Sequence, residues 1–521
     1  MAEGLELTGL HLRLVDVAAV ARHNMAAALA GSARDRMQAS RAVIEELVSE
    51  GATVYGVTTG FGELANRRVD VEDTRRLQHN LLASHAVGVG SPHDRPTVRA
   101  MLLLRANTLA RGNSGCRPLI VDRLLDFLRL GIHPQVPEQG SVGASGDLAP
   151  LAHLCLPLIG RGTVEVNGEI VGGTSALERH GLEPLSLEAK EGLALLNGTQ
   201  QMTAVGVLAL LDAERLLGAA SVAAAMTVEA LLGTDVAYSA DYQAARPHVG
   251  QGRVAAEMRH LLRGSELQRS HHALPHKVQD PYSIRCVPQV HGSAADALAY
   301  IRGVLEVEVN AATDNPLVFP AGADVDPTAQ ATGGGRVVSG GNFHGQPVAL
   351  AMDMLAIAVA DLASISERRI AQLVDPRASD LPAFLAARPG LNSGLMLYQY
   401  TAAALVSENK VLAHPASVDS VPTSGGQEDH VSMGPIAARQ ARDVVRNAER
   451  VIALELLCAA QALDYRLAAG AAPGAGVEAA HALVRGVAAH LDDDRESGAD
   501  IAAALELVRD GRLLELLPAR A

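Results

Sequence analysis

Apolar residues return every three or four positions over long stretches of this chain, the spacing of one buried helix face. That spacing predicts helices over residues 15–51, 73–86, 98–110 and 119–130. Longer ones follow over 197–232, 290–311, 348–373, 397–412 and 435–465. In the last of these, Ala437, Ala441, Val444, Ala448, Val451 and Ile452 fall on one stripe, and Pro435 suits the first turn. The run 348–373, interrupted by Asp353 and Asp361, is apolar nearly all round, which predicts a helix buried among other helices. Segment 477–517 has the amphipathic look of smaller peripheral helices.

Alternation of polar and apolar residues is confined to 163–173, around Asn167-Gly168, and predicts a hairpin. Residues 54–62, with three glycines and two threonines, read as a mobile loop. Residues 264–281 read as irregular, and 321–341 as a Gly/Ala/Asp-rich surface loop. There is no internal repeat and no linker-like stretch. The expectation is one unit over 1–521: an N-terminal part to 200, a central long-helix bundle over 201–465, and peripheral helices over 466–521. Bundles of such long helices often assemble through faces too apolar to leave in water.

Composition sharpens this picture. Of 521 residues 48% are hydrophobic but only 2% are aromatic and none is Trp, so the core must be Ala, Leu and Val, two of them strong helix formers. A net charge of −14 argues against nucleic acid or an anionic membrane as partner. Apolar stretches such as 216–228 are too short to span a bilayer, the N-terminus has no signal-peptide pattern, and a cytoplasmic location is expected. Cys116, Cys155, Cys286 and Cys458 are scattered, as reduced packing thiols would be. His271, His272 and His276 sit beside Pro275 without clear ligand partners, so no metal site is expected.

The candidate chemistry centres on Gly140-Ser141-Val142-Gly143-Ala144-Ser145-Gly146-Asp147-Leu148-Ala149-Pro150. On composition alone it is a capped helix start. Yet Ala144-Ser145-Gly146 can also close on itself. The Gly146 nitrogen attacks the Ala144 carbonyl carbon, and loss of two waters leaves Ser145 as a methylidene group on a five-membered ring. Only small residues permit this, and neighbouring glycines allow the bent backbone. The product, methylidene-imidazolone (MIO), is an electrophile that no standard side chain supplies.

The eleven-residue string resembles, without a gap, the signature of the aromatic amino acid ammonia-lyase and aminomutase family. Further motifs extend the resemblance over roughly residues 50 to 465. Tyr55-Gly56-Val57-Thr58-Thr59-Gly60-Phe61-Gly62 is similar to the family's catalytic tyrosine loop, which implies that Tyr55 is the proton-abstracting base. Asn197, in Leu195-Leu196-Asn197-Gly198-Thr199-Gln200, matches an Asn facing the prosthetic ring and substrate. In Gln279-Asp280-Pro281-Tyr282-Ser283-Ile284-Arg285, Arg285 would grip the substrate carboxylate while Tyr282 and Gln279 line the ring site. Phe343, in Asn342-Phe343-His344-Gly345, and Met396, in Ser393-Gly394-Leu395-Met396, match pocket residues.

Glu428, in Gln427-Glu428-Asp429-His430, narrows the resemblance toward the branch that converts histidine to trans-urocanate, since a carboxylate suits an imidazole. His85, after Ser84, would read the substrate ring but serves an imidazole or a phenol equally well. The resemblance implies a mainly α fold, a long-helix bundle of the fumarase/aspartase-like type with a small irregular N-terminal region and little β. It also implies a self-formed MIO group from Ala144, Ser145 and Gly146, and a homotetramer with shared active sites. The competing readings are a tyrosine or phenylalanine lyase or 2,3-aminomutase of the same family, and a non-catalytic helical scaffold.

Overall fold

The computed structural model describes residues 4–51, 73–272, 278–321, 331–332 and 335–519. The chain forms two compact units: one of Met1–Leu208, Arg302–Asp353 and Pro415–Arg439, the other of Ala209–Ile301, Met354–His414 and Gln440–Ala521.

The first unit mixes helices with short strands. The helix Arg95–Ala110 is buried along every residue from Thr97 onward, including Arg99, Arg105 and Asn107. Asp94 caps its start by accepting the Thr97 amide, and Pro96 in the first turn costs no internal hydrogen bond. The predicted hairpin is present as Thr163–Val166 and Glu169–Gly172, with Ile132–Pro134 adding a third strand. Its turn residues Asn167 and Gly168 both have positive φ, as a two-residue turn of this kind requires. Val89–Pro92 pairs antiparallel with Pro137–Gln139, and this pair leads directly into the Gly-rich loop.

The second unit is built on long helices. In helix Gly434–Leu467, which belongs to this unit from Gln440 onward, Ala437, Ala441, Val444, Ala448, Val451 and Ile452 are all fully buried, so the predicted stripe is a core face. At its centre Glu455 accepts from Arg369 Nη2 at 2.9 Å, Ser366 Oγ at 2.6 Å and Thr227 Oγ1 at 2.8 Å. A carboxylate with no exposure needs all of these donors. The C-terminal helix Ala475–Arg485 is tied on by Asp464, which accepts from His481 at 2.6 Å and Arg485 at 2.7 Å, and Gly498–Arg509 by Arg509, which donates to Glu449 Oε2 at 2.8 and 2.6 Å.

Four expectations need correcting. The predicted helix over 15–51 is two, Leu14–His23 and Gly31–Ser49. Asn24 turns left-handed (φ 55°), a conformation Asn tolerates, and Ala27–Leu29 then forms a strand parallel to Leu5–Leu7. Within 321–341, Gly335–Val338 pairs with Leu317–Pro320 and with Ala331–Thr332, strands concealed by the Gly-rich composition. Residues 264–281 include a short helix, Glu266–His272. Finally, Gln346–Val374 is long and apolar enough to cross a bilayer by length and composition, with 61% of its most apolar window buried. It is not buried all round, because Leu350, Met354 and Ile357 are 50%, 42% and 50% exposed in the single chain.

Candidate active site

The Gly-rich loop is held by three separate clasps within the first unit. Asp147 provides the first. Its Oδ2 accepts from the amides of Gln201 at 2.8 Å and Met202 at 3.0 Å, in the first turn of helix Gln200–Ala230. A helix N-terminus favours a carboxylate there. Complete burial outweighs those donors and pushes the Asp147 carboxyl up to about 7.

The second clasp is backbone to backbone. Gly146 and Gly198 run side by side as an isolated parallel bridge, and the Asp147 amide donates to the Gly198 carbonyl at 2.7 Å. Gly146 has φ +76°, and a Cβ there would lie 2.2 Å from the Gly198 oxygen. No side chain fits at 146 without parting the two segments.

The third clasp is the segment 428–434. Ser432 Oγ donates to the Gly143 carbonyl at 2.9 Å, and the Met433 amide to the Val142 carbonyl at 2.9 Å. Ala144 packs with Val431 and Met433 in a small apolar cluster. Gly143 (φ +68°) must also be glycine, since its Cβ would meet Ser432 Oγ at 2.2 Å.

These clasps leave Ser145 half-buried, with Oγ donating to Glu428 Oε1 at 2.8 Å. The other carboxylate oxygen, Oε2, accepts from Thr423 Oγ1 at 2.7 Å. Thr423 and Glu428 are fixed by a two-way backbone bridge across the turn Ser424–Gly426. His85, the last residue of helix Thr74–His85, feels the Glu428 charge. Its Nδ1 lies 2.8 Å from the Leu81 carbonyl, which assigns the proton to Nδ1 and leaves Nε2 as an acceptor. Burial lowers the His85 pKa, and the Leu81 carbonyl and Glu428 partly oppose that. At neutral pH the imidazole is therefore uncharged.

Asn197 is buried beside Gly198. Its Nδ2 donates to the Asn315 carbonyl at 3.2 Å, while Oδ1 has no partner among the described residues. The Asn197 carbonyl accepts from Arg105 Nη1 at 2.8 Å, and the same nitrogen donates to Gln200 Oε1 at 2.7 Å. Phe343 is half-buried, and its neighbour His344 stacks on His430 with ring centroids 6.0 Å apart.

Gln279, Tyr282, Arg285 and Met396 belong to the second unit. Tyr282–Arg285 is a single helical turn, and the Arg285 guanidinium lies 4.7 Å from the Tyr282 ring centroid. Arg285 and Gln279 line a cavity of about 650 Å³, into which Asp280 and Gln289 also project. Met396 opens helix Met396–Leu412 and is half-buried. Tyr55, the side chains of His271 and His272, and His276 lie outside the described residues.

Sequence reasoning missed the supporting residues. Arg105 was detectable as one of two charges, with Arg99, inside an apolar helical run, but Thr423, Ser432 and Gln200 carry no local signal. Chemically, the loop offers a strictly small tripeptide on a bent backbone, with a carboxylate beside its serine and a histidine within electrostatic reach of that carboxylate.

The aromatic amino acid lyase family model matches residues 12–486. The chain is 54% identical over 517 residues to histidine ammonia-lyase of Symbiobacterium thermophilum, covering 99% of both chains. Among solved structures it is similar to histidine ammonia-lyase from Trypanosoma cruzi, with TM-score 0.90 and 42% identity over 99% of this chain and 96% of that one. Tyrosine aminomutase from Streptomyces globisporus gives TM-score 0.90 at 37% identity, over 99% and 98% of the two chains. With a match over most of its length and a 63% helical fold shared with these structures, the chain belongs to the aromatic amino acid lyase family.

Proposed function

We propose that this chain eliminates ammonia from L-histidine to give trans-urocanate, using an MIO group that it forms from Ala144, Ser145 and Gly146. The observation that carries the substrate assignment is the Glu428 carboxylate, 2.8 Å from Ser145 Oγ. The relative and the solved structure named as histidine ammonia-lyases support the same reading. The loop residues fit the cyclisation: position 146 excludes any side chain, and Ala144 and Gly143 sit against the 431–433 segment. When formed, the ring supplies an electron-poor methylidene carbon.

The chain's own residues do the rest. Arg285 holds the substrate carboxylate with its guanidinium fork, and Tyr55 takes the β-proton. Glu428 accepts an imidazole N–H, His85 offers Nε2 as a second hydrogen-bonding edge, and Met396 and Phe343 pack on the ring. Asn197 presents its unpartnered Oδ1, and the family resemblance adds Tyr282 and Gln279 to the residues that bind substrate.

The active form is a homotetramer whose subunits share sites. Support comes from the half-exposed apolar side chains of Gln346–Val374 and from Tyr400 and Val411 on Met396–Leu412, which are 62% and 70% exposed. A cytoplasmic setting is consistent with free, buried Cys116, Cys155 and Cys458.

A tyrosine substrate is the second reading, favoured by the aminomutase likeness and by His85, which would also accept from a phenol. A substrate panel decides between them. Prompt urocanate formation from histidine, with no coumarate, cinnamate or β-amino acid from tyrosine or phenylalanine, is the expected result. The reverse pattern would remove the histidine assignment.

A further inference from the structure

A second polar cavity, of about 370 Å³, lies in the first unit among the ends of Leu14–His23 and Pro118–Leu130, the first turns of Arg95–Ala110 and the strand Ile132–Pro134. Its charged lining is Arg95, Arg99, Arg129, His133 and Glu165. None of these belongs to the proposed histidine site.

Two of the three guanidiniums already have carboxylates. Arg95 forms a two-pronged pair with Glu165, at 3.2 and 3.1 Å. Arg129 bonds Asp126 at 2.7 Å. Arg99, only 3% exposed, has none among the described residues. Its Nε donates to the Val20 carbonyl at 3.0 Å, and its Nη1 to the Leu128 carbonyl at 3.0 Å and to His133 Nε2 at 3.3 Å. The two carbonyls lie in the last turns of their helices, so Arg99 offsets two helix-end partial charges. That accounts for Nε and Nη1 and leaves Nη2 unused. His133 adds a second donor. Because its Nε2 accepts from Arg99, its proton sits on Nδ1, which has no hydrogen-bond partner, with Glu165 Oε2 at 3.5 Å. Burial and Arg99 push the His133 pKa down to about 4, so the ring is a neutral donor.

A buried guanidinium with a free edge, a second N–H held only by a long 3.5 Å contact to Glu165, and two more guanidiniums lining the same cavity call for an anion. We propose that this cavity binds a small oxyanion of the phosphate type, free or as a phosphomonoester, with the Arg99 Nη2 edge as its main contact and Arg129 beside it.

Calorimetric titration of the full-length, assembled protein with inorganic phosphate, at constant ionic strength, tests this. The expected result is saturable binding that weakens about tenfold or more in Arg99→Gln and in Arg129→Glu, the loss of one charge-assisted contact. It should persist in Arg285→Ala. Arg99→Gln also removes two helix-end contacts; if it does not fold, Arg129→Glu decides, since Arg129 is largely exposed. No binding beyond that of chloride, binding that survives Arg129→Glu, or binding lost only in Arg285→Ala would each overturn the proposal. Acetate binding as tightly as phosphate would overturn the assignment to a phosphate-type ligand.

Discussion

Replacing Gly146 by alanine tests both the loop geometry and the chemistry assigned to it. The added Cβ would stand 2.2 Å from the Gly198 oxygen and 2.5 Å from its carbonyl carbon and nitrogen. Carbon and oxygen in contact need more than 3 Å or so, so the two segments must part by about 1 Å. The Asp147–Gly198 hydrogen bond, 2.7 Å now, would stretch past bonding distance. Stranding that buried donor and acceptor costs about 1–3 kcal/mol. Holding alanine at φ +76° adds about 1–2 kcal/mol. The sum, about 2–5 kcal/mol, is a large destabilisation for one methyl group. Denaturant unfolding of the purified variant measures it, and near-ultraviolet absorbance of the folded fraction reports whether the ring still forms. A variant within about 1 kcal/mol of the parent would refute the packing argument. One with the parent's near-ultraviolet band would refute the requirement for glycine in the cyclisation.

Three further outcomes are expected. Glu428→Gln keeps the shape but loses the charge, so kcat/KM for histidine should fall about 5- to 30-fold, the difference between a charged and a neutral hydrogen bond, while any activity on phenylalanine should not fall. Asp147 and Glu229 are both held near 7 by burial, so the folded state keeps protons that the unfolded state releases near pH 4. Stability should therefore fall as pH rises from about 4 to 7, and unfolding midpoints across that range should show a shallower slope in Asp147→Asn. Ile452→Ala, at a fully buried position, should cost about 2–5 kcal/mol in the same unfolding measurement and leave the near-ultraviolet band of the folded protein unchanged.

Long helices were legible in the sequence because their apolar period is sustained, as in Gly434–Leu467, where six stripe positions are all buried. The Asn167-Gly168 hairpin was legible because its turn chemistry is specific. The break at Asn24 was not, since a left-handed Asn leaves the surrounding helical period almost intact. Nor were the strands Ala331–Thr332 and Gly335–Val338, the second of which finds its main partner at Leu317–Pro320 rather than in its own composition. The same division holds at the site. Ser145 and Glu428 were legible through their motifs, 283 residues apart, but their 2.8 Å contact was not. The roles of Thr423, Ser432 and Gln200 depend on contacts across more than 100 residues or on a local turn that no periodicity marks.

The most direct measurement is the mass of the peptide spanning Ala144, Ser145 and Gly146, taken from purified, catalytically competent protein. If the account is right, that peptide is lighter than its encoded mass by two waters, and Ser145→Ala abolishes both this loss and urocanate formation. A full-mass, linear peptide in protein that still releases ammonia from histidine would contradict it.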